Sequence, residues 1–151
     1  MVVSESKKGM ASYRAKTQQA AESSLCRCSK PGTLKIDRAG VVLDFITFKP
    51  LVKRVCDALD HRALVQSNSP TIEVHKGAKE VGILHKNQRL LLPQGDVILL
   101  PITNTSTELL AEYIAGQIRR KVRQNFRATI RCMKVAVEEA RGQRGIFRDE
   151  F

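Results

Sequence analysis

Residues 105–125 read TSTELLAEYIAGQIRRKVRQN, and this stretch decides the fold. Its apolar side chains recur four positions apart, at Leu110, Ile114, Ile118 and Val122. Residues with this spacing share one face of an α-helix, so the stretch predicts an amphipathic helix from Thr105 to about Asn125. One stripe of that helix is expected to be buried against the rest of the protein.

A second helix is predicted earlier in the chain, from about Phe48 to Leu59, after a short strand at residues 41–45. Thr47 is expected to cap this helix, and Pro50 falls in its first turn, where a missing N–H is tolerated. The apolar residues at helical spacing are Phe48, Leu51, Val52, Val55 and Leu59. We expect them to form the buried face.

Alternating apolar and polar residues predict the strands. One strand is expected at residues 12–19, and an inserted hairpin or meander between residues 71 and 92. Residues 130–139 predict a further strand, which points Met133, Val135 and Val137 to one side. Two helices and separate strand runs together predict the α+β class.

The composition fits one compact domain. The chain has 151 residues, and 42% of them are hydrophobic, which is enough to bury a core. Residues 1–9 are polar and are expected to form a flexible tail. The single folded domain is therefore predicted to span residues 10–151.

The charge is strongly positive. Lys and Arg number 26 against 15 Asp and Glu, a net charge of +11 that favours anionic partners. A late cluster comprises Arg119, Arg120, Lys121, Arg123, Arg127 and Arg131. A nucleic-acid footprint, with its steep salt dependence, is one interpretation of this cluster, but a solvated helix face is favoured. We therefore expect a small anionic partner and no nucleic acid.

The cysteines and hydropathy indicate a cytoplasmic protein. Four cysteines, at positions 26, 28, 56 and 132, are too few and too unevenly spaced for a secreted disulfide framework. No stretch matches a signal peptide or a membrane span. We expect a reducing compartment and no membrane partner.

Asp60 and His61 are the first candidate site residues. A carboxylate beside an imidazole orients the ring and favours its charged form, which suits proton transfer near neutral pH. On these two residues alone an ordinary helix end is the favoured interpretation, because an imidazolium also complements the helix dipole there.

Two acids, Glu108 and Glu139, complete the candidate set. Glu108 closes a Thr105–Glu108 capping box, so it is equally a candidate for bonding the helix backbone. Glu139 keeps the register of the inward side chains of its strand, which places it either at a wet strand end or in a pocket. Gly142 and Gly145 are expected to end that strand before a short final strand at residues 146–147.

Four segments in a fixed order resemble the 6-pyruvoyltetrahydropterin and 6-carboxytetrahydropterin synthase family. They are GVVLDFITFK at residues 40–49, LDHRAL at 59–64, LLPITNTSTELLAEYI at 99–114 and VAVEEARGQ at 135–143. The resemblance implies a T-fold, in which an antiparallel sheet packs on two helices and subunits assemble into barrels with pterin sites at their boundaries. In this chain the first strand pair is expected to be truncated or divergent, and the meander to be an insertion.

The resemblance also implies an activity and roles for the candidate residues. Members of the family act on dihydroneopterin triphosphate as lyases, using zinc, a cysteine and an Asp–His pair. Asp60 and His61 match that pair, which implies a proton relay. Glu108 and Glu139 match the acids that bind the pterin ring, with Thr105 beside them, because a carboxylate suits the parallel N–H donors of the ring edge.

The chain departs from the family at the zinc ligands. The family holds zinc through three histidines near the N-terminus, whereas the only histidines here are His61, His75 and His85. Neither Cys26 nor Cys28 replaces them, so no metal ligand is assigned. Three alternatives stay open: a lyase whose N-terminal segment is missing, a pterin- or purine-binding T-fold protein without turnover, and a basic nucleic-acid-binding protein.

Overall fold

The computed structural model describes residues 2–6, 10–14, 45–125 and 132–150. Its elements in chain order are β1 (Val2–Ser6), β2 (Met10–Arg14), α1 (Phe45–Asp57), β3 (Ala63–Gln66), β4 (Glu73–Lys76), β5 (Glu80–His85), β6 (Gln88–Pro93), β7 (Val97–Leu100), α2 (Thr107–Asn125), β8 (Cys132–Ala140) and β9 (Gln143–Glu150). A short 3₁₀ turn, Gln94–Asp96, precedes β7. The predicted α+β class is confirmed.

The N-terminal residues are paired. The sequence predicts a flexible tail over residues 1–9, whereas Val2–Ser6 form β1, which pairs antiparallel with β2. The second strand was expected at residues 12–19, and β2 instead begins at Met10 and ends at Arg14 within the described residues. The divergent first strand pair is therefore present, as two strands of five residues each.

α1 begins earlier than predicted. It spans Phe45–Asp57, so Thr47 lies inside the helix and is not its cap. Pro50 consequently lies inside the helix, beyond its first turn, and has no N–H to donate to the carbonyl of Ile46. Of the strand predicted at 41–45, residues 41–44 lie outside the described residues.

Both helices bury the stripes that the sequence predicts. Their buried residues are Phe48, Leu51, Val55 and Leu59 before β3, and Leu110, Ala111, Ala115, Ile118 and Val122 on α2. Leu100, Val135 and Val137 complete the same core. α2 packs on β8 and β9 and also contacts α1.

β3 and β7 form a parallel pair that is covered on both faces. Leu64, Ile98 and Leu100 point into the helix core, while Val65 and Val97 point into a second core. Val81 and Ile83 of the β4–β5–β6 meander cover that second face, which confirms the predicted meander. Parallel pairs are stable when both faces are buried, which explains the nearly continuous apolar sequence of β7.

Neither α1 nor α2 combines the length with the apolar character that crossing a membrane requires, over the part of the chain that the structure describes.

Candidate functional site

Asp60 and His61 lie in the turn that joins α1 to β3. The last turns after α1 are closed by hydrogen bonds from Leu59 N–H to the Cys56 carbonyl and from Asp60 N–H to the Asp57 carbonyl. The Nδ1 atom of His61 then lies 2.8 Å from Oδ2 of Asp60. The prediction that this dipeptide falls at the helix end is confirmed.

The contact with Asp60 orients the imidazole ring of His61 and leaves its other nitrogen, Nε2, outside that contact. When Nδ1–H donates to Asp60, Nε2 is left as the acceptor, and the His61 side chain is 65% exposed. His61 also has a φ of +55°, a backbone conformation that few non-glycine residues adopt. The Oδ1 atom of Asp60 is buried and has no hydrogen-bond partner among the described residues. A strained residue beside an unsatisfied buried oxygen is typical of a functional position.

Ser106 caps α2, one residue later than the sequence predicts. Its side-chain oxygen accepts from Leu109 N–H at 3.4 Å, and its carbonyl accepts from Leu110 N–H at 2.9 Å. Ser106 therefore takes the N-cap position, and Thr105 lies one residue before it. Glu108 lies exposed in the first turn, where its carboxylate accepts from the Thr107 hydroxyl at 3.2 Å.

Replacing the cap should therefore affect stability more than replacing the acid. We expect Ser106→Ala to lower the free energy of unfolding by about 1 kcal/mol, because it leaves a helix N–H without its partner. Glu108→Gln should cost only about 0.5 kcal/mol, through the weaker interaction with the helix dipole. Urea unfolding of both variants measures the difference, and a larger loss for Glu108→Gln would restore the capping role of that acid.

Gly145 brings the β8–β9 hairpin against the first turn of α2. It pairs with Val137, and it lies inside β9 instead of ending a strand as predicted. A Cβ on Gly145 would stand 2.4 Å from the carbonyl carbon of Thr107 and 2.5 Å from the nitrogen of Glu108. No side chain fits there, so glycine alone permits this contact.

Glu139 lies close to this contact. It follows Val137 by two residues, roughly 7 Å along the strand, and is half-buried. The pairing shifts register between Glu138 and Ala140, so Glu139 occupies an irregularity instead of continuing the alternation that the sequence predicts. Irregularities of this kind re-aim side chains next to functional sites. Glu108 and Glu139 thus lie on two elements that pack together, α2 and β8.

The neighbouring acid, Glu138, is held by the hairpin turn. Its carboxylate accepts from Gly142 N–H at 2.9 Å and lies 3.7 Å from Nε of Arg144. The hydrogen bond from Gly142, with Arg144 adding to it, holds the pKa of Glu138 below its usual value. Gly142 has a φ of +86°, which the tight turn requires. Glu138 is therefore held by contacts within the hairpin turn.

The two halves of the predicted site attach to opposite ends of the β3–β7 pair. Ala63 pairs with Val97, and Gln66 pairs with Leu100, in parallel. His61 directly precedes this β3 segment, whereas the loop that leads to α2 leaves the last residue of β7. The ends of the pair are roughly 10 Å apart. The described residues thus place Glu108 and Glu139 on α2 and β8, which pack together, and Asp60 with His61 in the turn before β3.

The thiols and other histidines add no metal cluster. Among the described residues, no group of three His, Cys, Asp or Glu side chains is placed to hold an ion. His75 lies 3.7 Å from Glu73, and His85 bonds the carbonyl of Thr71. Cys26 and Cys28 lie outside the described residues.

Cys56 lies one turn before Asp60 and is a free thiol. Burial, followed by the negative charge of Asp57, raises the pKa of the Cys56 thiol. A thiol of this kind stays protonated at neutral pH and is a poor nucleophile. Cys56 therefore does not replace the reactive cysteine that the resemblance implies.

Two residues of this region escaped the sequence analysis. Ser106 was passed over because the Thr105 box matches the capping pattern equally well in sequence. Gly145 was taken as a strand end, although a glycine between strand-like residues also signals a close backbone approach. The structure shows such a close approach at Gly145.

Comparisons with known proteins agree with this architecture. The family model described as 6-pyruvoyl tetrahydropterin synthase matches residues 29–150, which include all the predicted site residues. A provisionally named 6-carboxy-5,6,7,8-tetrahydropterin synthase of Methanocaldococcus jannaschii is 33% identical over 115 residues, which cover 74% of this chain and 71% of the relative. A provisionally named homologue from Pyrococcus horikoshii is 28% identical over 70% of this chain and 59% of its own length.

Solved structures show the same similarity. The 6-pyruvoyl tetrahydropterin synthase of Plasmodium vivax aligns with a TM-score of 0.72 and 26% identity, over 78% of this chain and 74% of that one. The corresponding Plasmodium falciparum enzyme aligns with a TM-score of 0.68 and 26% identity, over 77% and 73% of the two chains. The predicted T-fold is confirmed.

Proposed function

The chain belongs to the 6-pyruvoyl tetrahydropterin synthase family, and we propose that it acts as a pterin-pathway lyase on dihydroneopterin triphosphate at a site shared by two copies of the chain. The observation that carries the proposal is the Gly145 contact, which packs the β8–β9 hairpin that contains Glu139 against the first turn of α2, where Glu108 lies.

Glu108 and Glu139 would bind the pterin ring by its edge. The pyrimidine part of a pterin presents neighbouring N–H donors, and carboxylates accept such donors in short, charge-assisted hydrogen bonds. Glu139 is half-buried, which strengthens hydrogen bonding by excluding water. Thr105 precedes the helix next to Glu108 and is proposed to line the same pocket.

Asp60 and His61 would move the proton. The Asp60 carboxylate, 2.8 Å from Nδ1, would stabilise the positive charge that His61 gains when Nε2 takes a proton from the substrate. Because His61 is attached to the other end of the β3–β7 pair, a second copy of the chain is proposed to deliver it to the acids. A homo-oligomer is thus part of the proposed mechanism.

Zinc chemistry is not assigned to residues of this chain. The family implies a zinc ion that polarises the side-chain oxygens of the substrate. The described residues hold no group of three potential ligands, and the sequence has no histidine before His61, so the residues present do not fit the family's histidine set. No catalytic step is therefore derived through the metal.

Calorimetry with neopterin tests the ring site. We expect Glu139→Gln and Glu108→Gln each to weaken neopterin binding by about tenfold to a hundredfold, because each loses a charge-assisted acceptor. His61→Ala should bind neopterin as the unmutated chain does. Glu112→Gln, an exposed acid one turn further along α2, is the matched control and should be neutral. Equal affinity in all four variants would end the proposal.

A binding protein without turnover is the second candidate, favoured by the missing histidines. Such a protein would bind the pterin ring through Glu108 and Glu139 but would not catalyse the elimination. Zinc titration combined with a turnover assay on dihydroneopterin triphosphate separates the two candidates. Pterin binding without stoichiometric zinc and without turnover supports the binding protein, whereas turnover that depends on His61 supports the lyase.

A further inference from the structure

Uncompensated positive charge adjoins the Asp60–His61 pair. Arg62 follows His61 directly, and Arg54 lies in the last turn of α1; both side chains are exposed. Neither forms an ion pair with another described residue, whereas the nearby Lys53 is neutralised by Asp57 at 2.5 Å. The relay end of the chain thus carries two guanidinium groups that the fold does not use.

The acid end carries the opposite charge. Glu108 and Glu112 lie one turn apart at the start of α2, and Glu139 lies in β8, which packs on that helix. Arg144, which lies in the same hairpin, is within 3.7 Å of Glu138 and is therefore largely compensated. A ligand with hydrogen-bond donors at one end and several negative charges at the other matches this charge distribution. Its donor end would face the acids of one copy, and its anionic end would face the arginines of another.

We propose that Arg62, assisted by Arg54, binds the phosphate groups of the substrate and places the bond to the leaving group beside His61. This inference rests on the proposed function and assigns the substrate's anionic tail to the copy that supplies the proton relay. A guanidinium suits a phosphate because its planar N–H donors match two oxygens at once.

The position next to His61 also suits the chemistry. In the elimination, Nε2 of His61 takes a proton from one carbon, and the electrons of that C–H bond form a π bond to the neighbouring carbon. The C–O bond there breaks, and its electron pair leaves with the triphosphate. Arg62 would stabilise the negative charge that the departing triphosphate gains.

The tail and the ring can be tested separately with three probes: neopterin, neopterin triphosphate and inorganic tripolyphosphate. Neopterin triphosphate, which is already oxidised in its ring, allows calorimetry without reaction. We expect Arg62→Gln to weaken binding of neopterin triphosphate and tripolyphosphate by about tenfold or more, and to leave neopterin within about twofold. Arg62→Lys should recover part of the loss.

Two arginines serve as controls. Arg89→Gln removes an exposed guanidinium from the meander and should leave all three affinities unchanged. Arg141→Gln removes the exposed guanidinium at the tip of the β8–β9 hairpin, at the acid end. A loss of neopterin triphosphate affinity in Arg141→Gln but not in Arg62→Gln would mean that the phosphate groups bind near the β8–β9 hairpin. That result would overturn the inference.

The remaining outcomes separate this inference from the proposed function. If neopterin binds and the triphosphate adds no affinity, or Arg62→Gln has no effect, the phosphate site is wrong and the pterin site stands. If tripolyphosphate binds through Arg62 while neopterin does not bind, the phosphate site stands and the pterin function is wrong. If the unmutated chain binds none of the three probes, both are overturned.

Discussion

Mixed oligomers of two inactive variants, His61→Ala and Glu139→Gln, are expected to regain about a quarter of the unmutated turnover, because that fraction of shared sites combines a native relay with a native acid. Alone, His61→Ala should lose about 10²-fold to 10⁴-fold in rate, since it lacks the proton acceptor. Mixing by co-refolding and assaying dihydroneopterin triphosphate measures the recovery. We expect this rescue because His61 precedes the start of β3, whereas the loop that leads to α2 and Glu108 follows the end of β7, at the other end of the strand pair.

A mixture no more active than its two components would mean that each site is built within one chain. His61→Ala mixed with His61→Gln provides the matched control, because no combination of these variants restores the imidazole. A photoreactive 6-substituted pterin supplies a second measurement that does not require turnover. Added to unmutated chains mixed with isotopically heavy Glu139→Gln chains, it should label the heavy chains near residues 60–62.

Gly145→Ala is expected to lower the free energy of unfolding by about 1–3 kcal/mol and to weaken neopterin binding at the same time. The new Cβ would lie 2.4–2.5 Å from backbone atoms of Thr107 and Glu108, which cannot move aside as a flexible side chain can. The first turn of α2 must therefore shift away from β9. Because Glu108 shifts with it, the separation of the two acids increases.

Gly116→Ala is the matched control, and it should change stability in the opposite direction. Gly116 lies inside α2, and a Cβ there meets nothing within 4 Å. We expect this substitution to stabilise the chain by up to about 1 kcal/mol, through the better helix propensity of alanine, without changing neopterin affinity. Urea unfolding and calorimetry measure both quantities, and equal effects of the two substitutions would contradict the contact at Gly145.

Both predictions test the proposal that the site combines residues that are distant in sequence. The acids depend on a hairpin packed against a helix start. The relay depends on a turn at the opposite end of a parallel strand pair. In this proposal Arg62 and Arg54 of one copy would bind the phosphate groups of the substrate. Glu108 and Glu139 of another copy would bind its pterin ring.

The sequence by itself determined the two helices, the meander and the family. Helical spacing at Leu110, Ile118 and Val122 predicted the buried stripe of α2, because a repeat of 3.6 residues is a property of neighbouring residues alone. Alternation predicted the meander and the inward face of β8 for the same reason. The order of Asp60–His61, Glu108 and Glu139 indicated the family because motif order is written along the chain.

Only the tertiary structure decided which residues meet. Whether Ser106 or Thr105 caps α2 depends on which N–H each oxygen reaches, and both are residue types that commonly cap helices. Whether Gly145 ends a strand or allows the close approach of α2 depends on which element packs against it. The neighbouring residues in sequence do not specify that element. The parallel pairing of β3 with β7 was likewise decided by the tertiary structure, because pairing between distant segments is set by the packing of the whole core and leaves no local signal.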